Sequence, residues 1–319
     1  MRIAHLSDLH FTTFFKKSNL AGIHYLLNYA LKQNADHIVI TGDLTDNADE
    51  HDFLILRQLF KKLGILNSKK LSLVIGNHDI FGGAQTAEDI FTFPQKCRSV
   101  NFNEQVKLFY SYFKETFDDC AVLSGKNIFP YAKVLNGVLF LGMNSIAEYS
   151  TAKNIFASNG SIGLEQFNET TRILEQFKNN VTAKIILIHH HFNKIKVKNK
   201  SSFGSFWQNI EKQTMKLRKK KRLFNLFKMY NIDLVMHGHF HEMGEYKRNG
   251  TKFLNGGGSL KGTVAEEMQI NFIDIKPSTI KIKTHKLTPS LSDLMTGNEL
   301  LNDIDHANEK FILQEAAAN

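Results

Sequence analysis

Five short groups of residues along the chain carry side chains that bind divalent cations: Asp8-Leu9-His10, Gly42-Asp43, Gly76-Asn77-His78-Asp79, His189-His190-His191 and Gly238-His239-Phe240-His241. Carboxylate, imidazole and amide oxygen, with no thiolate among them, suit borderline-hard ions such as Mn, Fe, Zn or Co and not soft thiophilic ones. Side chains of an extended segment alternate with period two, so Asp8 with His10, and His239 with His241, each present two donors on one side. The glycines at 42, 76 and 238 adjoin these groups and fit tight turns in which the backbone passes close to an ion. Together the groups offer more donors than one tetrahedral ion needs.

Elements that position such groups are visible around them. Short apolar, β-rich runs at residues 3–6, 37–41, 71–75, 138–143, 184–188 and 232–236 predict buried strands, and all but one of them lead directly into a donor group. Amphipathic stretches at 20–33, 49–63 and 164–178 predict helices between them. This alternation predicts an α/β architecture, in which loops at the carboxyl ends of strands gather at one edge and build the ligand site. After residue 245 the pattern changes to strands and turns, at 251–255, 268–275 and 279–284, which predicts a second sheet or an antiparallel edge. No repeat of fixed period is present, and the tail from 289 to 319 has helix-forming composition without a strong stripe.

Composition narrows the classes. With 319 residues, 42% hydrophobic and 22% charged, and with 20 Gly and 4 Pro, the chain is neither collagen-like nor disordered. Two cysteines, Cys97 and Cys120, make no disulfide framework, which predicts a reducing, cytoplasmic compartment. The start Met1-Arg2-Ile3-Ala4-His5 leaves no room for a signal peptide before the first donors, and no run approaches the roughly 20 apolar residues of a membrane span. The net charge of +9 is local: residues 194–228 hold twelve Lys or Arg against the single acidic Glu211, whereas the remainder is almost neutral.

The donor groups, in this order, resemble the calcineurin-like metallophosphoesterases, whose pattern is Asp-x-His, Gly-Asp, Gly-Asn-His-Asp or Glu, His, and Gly-His-x-His. The match runs from the N-terminus to residue 241. It implies a four-layer α/β/β/α sandwich with two mixed β-sheets and a dinuclear metal site at the strand ends. A domain over 1–288, with inserts near 80–123 and 192–230, would be followed by the tail at 289–319. By the same resemblance two divalent ions (Mn, Fe or Zn) share Asp43. Asp8, His10 and His241 complete one site, and Asn77, His189 and His239 the other. Position directly after the strand selects His189 from its triplet, while His190 and His191 are left to contact substrate, to support the ligands or to do neither. His78 is implied as general acid or electrostatic stabiliser at the leaving oxygen, with Asp79 beside it to orient it. Asp46, like Asp79, also reads as a cap of a following loop or helix. His5, His24, His37, His51 and His237 read as structural or solvated.

The implied chemistry is hydrolysis of a phosphodiester or pyrophosphate bond by a metal-held hydroxide. A two-metal centre does not choose a substrate, so selection is expected from the inserts. One, near 80–123, is rich in aromatics (Phe81, Phe91, Phe93, Phe102, Phe109, Phe113, Phe117). The other is the basic segment, where Phe203, Phe206 and Trp207 accompany the cations and an apolar helical stripe starts at Phe206. That segment reads as a solvated face, as a site for an anionic lipid surface that would hold the protein peripherally at a membrane, or as a nucleic-acid site. A nuclease, a cyclic nucleotide phosphodiesterase, a UDP-linked lipid pyrophosphatase and a catalytically silent scaffold on the same fold are the alternatives. The lipid pyrophosphatase usually has arginine where this chain has His78.

Overall fold

Two mixed sheets pack face to face, and helices cover both outer faces. The computed structural model describes residues 1–13, 18–84, 87–123, 128–193, 215, 217–241, 243–261, 267–277, 279–290, 292, 299 and 302–304. In the first sheet β1 (Arg2–Leu6), β2 (His37–Thr41) and β3 (Leu71–Val74) run parallel, with Ile3 opposite His37 and Ile38 opposite Leu71. The second sheet runs β4 (Val122–Leu123), β5 (Tyr131–Leu135), β6 (Val138–Gly142), β7 (Ala183–Leu187), β8 (Leu234–His237), β10 (Thr251–Asn255), β9 (Gly244–Arg248). Its middle strands β6, β7, β8 and β10 are parallel.

Period-two alternation sorts the second sheet's side chains. Phe140, Ile185, Leu187, Leu234, Met236 and Leu254 join the core shared with the first sheet. Leu139, Leu141, Ile186, Ile188, Val235 and Phe253 face the other way, onto α6 (Leu164–Gln176) and α7 (Lys220–Met229). The first sheet is backed by α1 (Ser18–Lys32) and α2 (Glu50–Lys62). The N-cap carboxylate of α2, on Asp49, accepts from the His51 amide, Glu50 and Asp52 sit in its first turn and Lys61 and Lys62 in its last, so local charge and the helix dipole agree.

The strands after residue 245 divide between the sheets instead of forming a sheet of their own. β10 continues the second sheet, whereas β12 (Glu267–Lys276) pairs antiparallel with β1, carries β13 (Thr279–Leu287) on its far edge and meets β11 (Leu260–Lys261). The buried run Met268–Ile273 covers the edge that β1 would otherwise expose. The second sheet therefore comes mainly from the middle of the chain. Most aromatics of the insert near 80–123 (Phe81, Phe93, Phe109, Phe113 and Phe117) are core as well, whereas Phe91 is 84% exposed. That insert forms α3 (His78–Phe81), α4 (Ala87–Ser99) and α5 (Phe102–Phe113), and Phe109 and Phe113 each lie 6.0 Å from Phe53 of α2. The stripe expected from Phe206 lies outside the described residues. So does most of the tail, although Ile304 is buried in the core and Asp303 reaches Lys62 Nζ at 3.3 Å. No helix among the described residues is long and apolar enough to cross a membrane.

One polar pair seals the free edge of β3. Tyr131 and Lys133, two residues apart on β5, donate to the Leu73 and Leu71 carbonyls at 2.8 and 2.7 Å. Burial pushes the Lys133 ammonium down to about 8, below its ordinary 10.5. Between those values the unfolded chain holds more protons, so this residue makes stability rise with pH. Lys133→Met removes that dependence. The stability of the variant minus that of the wild type should therefore fall by on the order of 3 kcal/mol from pH 7 to 10.5 in denaturant titrations. A difference that stays flat with pH would refute a buried, charged lysine.

Candidate metal centre

The donor groups meet at the carboxyl ends of β1, β2, β3, β7 and β8, and their loops are tied together through the backbone. The Asp8 amide donates to the Gly42 carbonyl at 3.1 Å, and the Leu9 and His10 amides donate to the Asp43 carbonyl at 2.8 and 3.0 Å. Asp8, His10, Asp43 and His239 all have positive φ, at 55°, 46°, 51° and 67°. Asp and His tolerate this left-handed conformation better than most side chains, and it turns each donor back toward the strand ends. Gly42, at φ 93°, continues the turn, and a Cβ on Gly76 would collide with the Asp43 carboxylate.

Asp43 stands between two clusters. Its Oδ1 accepts from the His78 amide at 2.9 Å, while its Oδ2 lies 3.3 Å from His189 Nε2 and 3.8 Å from His10 Nε2. Around His189 Nε2 also stand His239 Nδ1 at 3.0 Å and Asn77 Oδ1 at 3.2 Å. In the other cluster His10 Nε2 is 3.1 Å from His241 Nε2, which is 3.9 Å from Asp8 Oδ1. The Asp8 carboxylate also accepts from the His239 amide, at 2.9 and 3.2 Å, and so links the two sides.

These contacts fit cations better than they fit hydrogen bonds. His189 Nδ1 donates to the Thr41 carbonyl at 2.8 Å and His10 Nδ1 donates to the Asp46 carboxylate at 3.2 Å, so in each ring Nε2 is the nitrogen that faces the other donors and would meet a cation in place of a proton. Ligands held about 2.1 Å from one ion stand roughly 3.0 to 3.4 Å apart, the spacing found around His189 Nε2. The buried carboxylates also demand positive charge. Burial alone would raise Asp43, yet the His189, His78 and His10 imidazoles hold it well below the usual carboxylate range. Burial alone would likewise lower His78 and His189, but Asp43, with Asp46 beside His78, lifts each to about 9. The residues present therefore suit a pair of divalent cations.

All seven expected ligands are brought together, and their neighbours separate by role. Both ring nitrogens of His190 are bonded, to Ser145 Oγ at 2.8 Å and to the Ser158 carbonyl at 3.1 Å, while the ring packs 4.3 Å from His239. It buttresses the site and has no nitrogen left for substrate. His191 stacks on His239 at 5.9 Å. His5, His37 and His237 bond to Thr41, Ser72 and Tyr246, away from the clusters, and His51 is exposed.

The expected partnership of Asp79 with His78 is corrected. Asp79 Oδ1 accepts from the Thr45 amide and hydroxyl at 2.9 and 3.2 Å, and its Oδ2 accepts from the Gly76 amide at 2.9 Å, so it ties the β2 loop to the β3 loop. Asp46 orients His78 instead. His78 Nδ1 lies 3.1 Å from both the carboxylate and the backbone carbonyl of Asp46, whose Oδ1 also holds His10. Burial would raise Asp46, but these two imidazoles keep it far below the usual carboxylate range. Its position three residues after Asp43, on the same loop, was the available signal.

The basic segment is described only from its far end. Three cations of Arg218–Arg222 are held by the fold: Arg218 donates to the Lys153 carbonyl, Lys220 to Phe192 at 3.0 Å and Arg222 to Ile162 at 3.1 Å. Lys194 to Thr214, with Phe203, Phe206 and Trp207, lie outside the described residues.

A family model described as calcineurin-like phosphoesterase matches residues 1–243. No curated protein matches the chain. Among solved structures, a dimetal phosphatase from Danio rerio is similar with a TM-score of 0.60 and 11% identity, over 91% of this chain and 99% of that one. A purple acid phosphatase from yellow lupin (Lupinus luteus) seeds is similar with a TM-score of 0.51 and 15% identity, over 92% of this chain and 55% of that one. At such identities the likeness is one of fold.

Removing the Asp46 carboxylate should loosen His10 without touching a ligand. Asp46→Ala is expected to weaken divalent-cation binding about 10- to 100-fold by calorimetric titration, with an unchanged far-UV spectrum. Wild-type affinity in that variant would remove Asp46 from the centre.

Proposed function

We propose that this chain, which belongs to the calcineurin-like phosphoesterase family and is a metal-dependent phosphoric ester hydrolase, cleaves a phosphodiester or pyrophosphate bond at the Asp43 centre. Asp8, His10, Asp43 and His241 would hold one divalent cation, and Asp43, Asn77, His189 and His239 the other, with Mn, Fe or Zn as the matching metals. The observation that carries this reading is the single Asp43 Oδ2 reaching both clusters, 3.3 Å from His189 and 3.8 Å from His10. A bound pair of such cations supplies an activated water and neutralises charge on the phosphoryl oxygens.

The chain's own residues do the rest. Thr41 and Asp46 fix the His189 and His10 rings so that Nε2 points into the centre. With Nδ1 of His78 held by Asp46, its Nε2 is the nitrogen free to meet a leaving-group oxygen and pass it a proton. The His241 side chain is 57% exposed and that of His78 25%, so among the described residues the centre opens at a rim, which leaves room for a substituent on either side of a phosphorus. His78 itself argues against the lipid pyrophosphatases that carry arginine there, and the full ligand set argues against a silent scaffold.

Ligand and acid should separate on substitution. With Mn and an aryl phosphodiester, Asp43→Ala is expected to lose both bound metal and activity. His78→Ala should keep its metal while turnover falls about 10²- to 10⁴-fold. Metal analysis beside initial rates decides the matter: loss of ions from the His78 variant as complete as from the Asp43 variant contradicts the assignment. A wild-type protein inert on both diesters and pyrophosphates contradicts the substrate class.

A further inference from the structure

The start of α7 opposes ordinary helix electrostatics. A helix N-terminus carries partial positive charge and is normally stabilised by acidic residues or a side-chain cap. Arg218, Lys219, Lys220, Lys221 and Arg222 crowd this one, its first turn has no acidic residue, and Lys219 at the N-cap, φ 53°, provides no side-chain cap. Lys219 and Lys221 are exposed.

The same surface continues into the loop after β6. The Arg218 amide donates to the Gly160 carbonyl at 2.8 Å and the Arg222 guanidinium lies 4.1 Å over the Phe167 ring. That loop and the start of α6 add exposed Lys153 and two apolar side chains turned to solvent, Ile155 at 43% and Leu164 at 65% exposure. Glu165, beside Leu164, is an acidic neighbour and serves the N-terminus of α6. The surface adjoins the metal centre through His190: an ideal Cβ on Gly160 would fall 2.5 Å from the His190 ring, which packs against His239.

A nucleic acid would match the cations and leave the two aliphatic side chains unmatched. An anionic bilayer matches both, because head groups meet the lysines while Ile155 and Leu164 enter the interface. We propose that the surface made by residues 150–164 and the start of α7 docks the chain on an anionic phospholipid bilayer, with the metal centre beside the membrane.

Sedimentation of the full chain with vesicles tests this, using phosphatidylcholine alone and phosphatidylcholine mixed with phosphatidylglycerol. The wild type should pellet with the mixed vesicles, not with neutral ones, and should be released by salt. Lys219→Glu with Lys221→Glu should lower partitioning at least about tenfold, and Ile155→Ser with Leu164→Ser severalfold. Both variants should hydrolyse a soluble aryl phosphodiester at the wild-type rate, so docking can fail without the proposed chemistry failing. The inference is overturned if the charge-reversed variant pellets like the wild type, or if the wild type stays in the supernatant with mixed vesicles. Preference for single-stranded DNA over those vesicles in direct competition also overturns it.

Discussion

Burial of the Asp43 carboxylate between two sheets is the constraint to which the other loops answer. A carboxylate out of water is costly unless its oxygens find donors or cations. One oxygen takes the His78 amide, and the other faces imidazoles from β1 and β7 loops 179 residues apart, at His10 and His189. Bringing those loops so close requires left-handed backbone at four donor positions, each costing roughly 1 to 3 kcal/mol. That strain persists because each donor follows a fully buried strand end, and the core shared by the two sheets fixes where those ends lie.

Around the centre, polar side chains that touch no cation decide which atoms can. The Thr41 carbonyl and the Asp46 carboxylate choose the tautomers of His189 and His10. Asp79 holds two loops in register, and His190, with both nitrogens occupied, fills the space behind His239. A histidine triplet in sequence thus becomes one donor, one buttress and one stacked ring. Residue type sets what a side chain can do, and the neighbour of its second nitrogen sets what it does.

Much of this was legible in sequence because short apolar, β-rich runs ending in Asp, Asn and His mark strands and edge together. The boundaries of β1, β2, α1 and α2 fall within two residues of the pattern. The division of the C-terminal strands was not legible, since β10 and β12 both read simply as strands and pairing is a nonlocal choice made by which sheet edge lies free. Aromatics such as Phe109 and Phe113 look the same in sequence whether they line a substrate cleft or pack on Phe53. Asp46 read as a cap because nothing local shows that His10 and His78 converge on it.

The central proposal is that the Asp43 side chain would serve both cation sites. Electron paramagnetic resonance of the chain loaded with Mn tests it most directly, with metal analysis on the same sample. Two ions per chain and the spectrum of an exchange-coupled pair are expected. A single ion per chain, or two ions giving only the spectrum of isolated Mn, would contradict it.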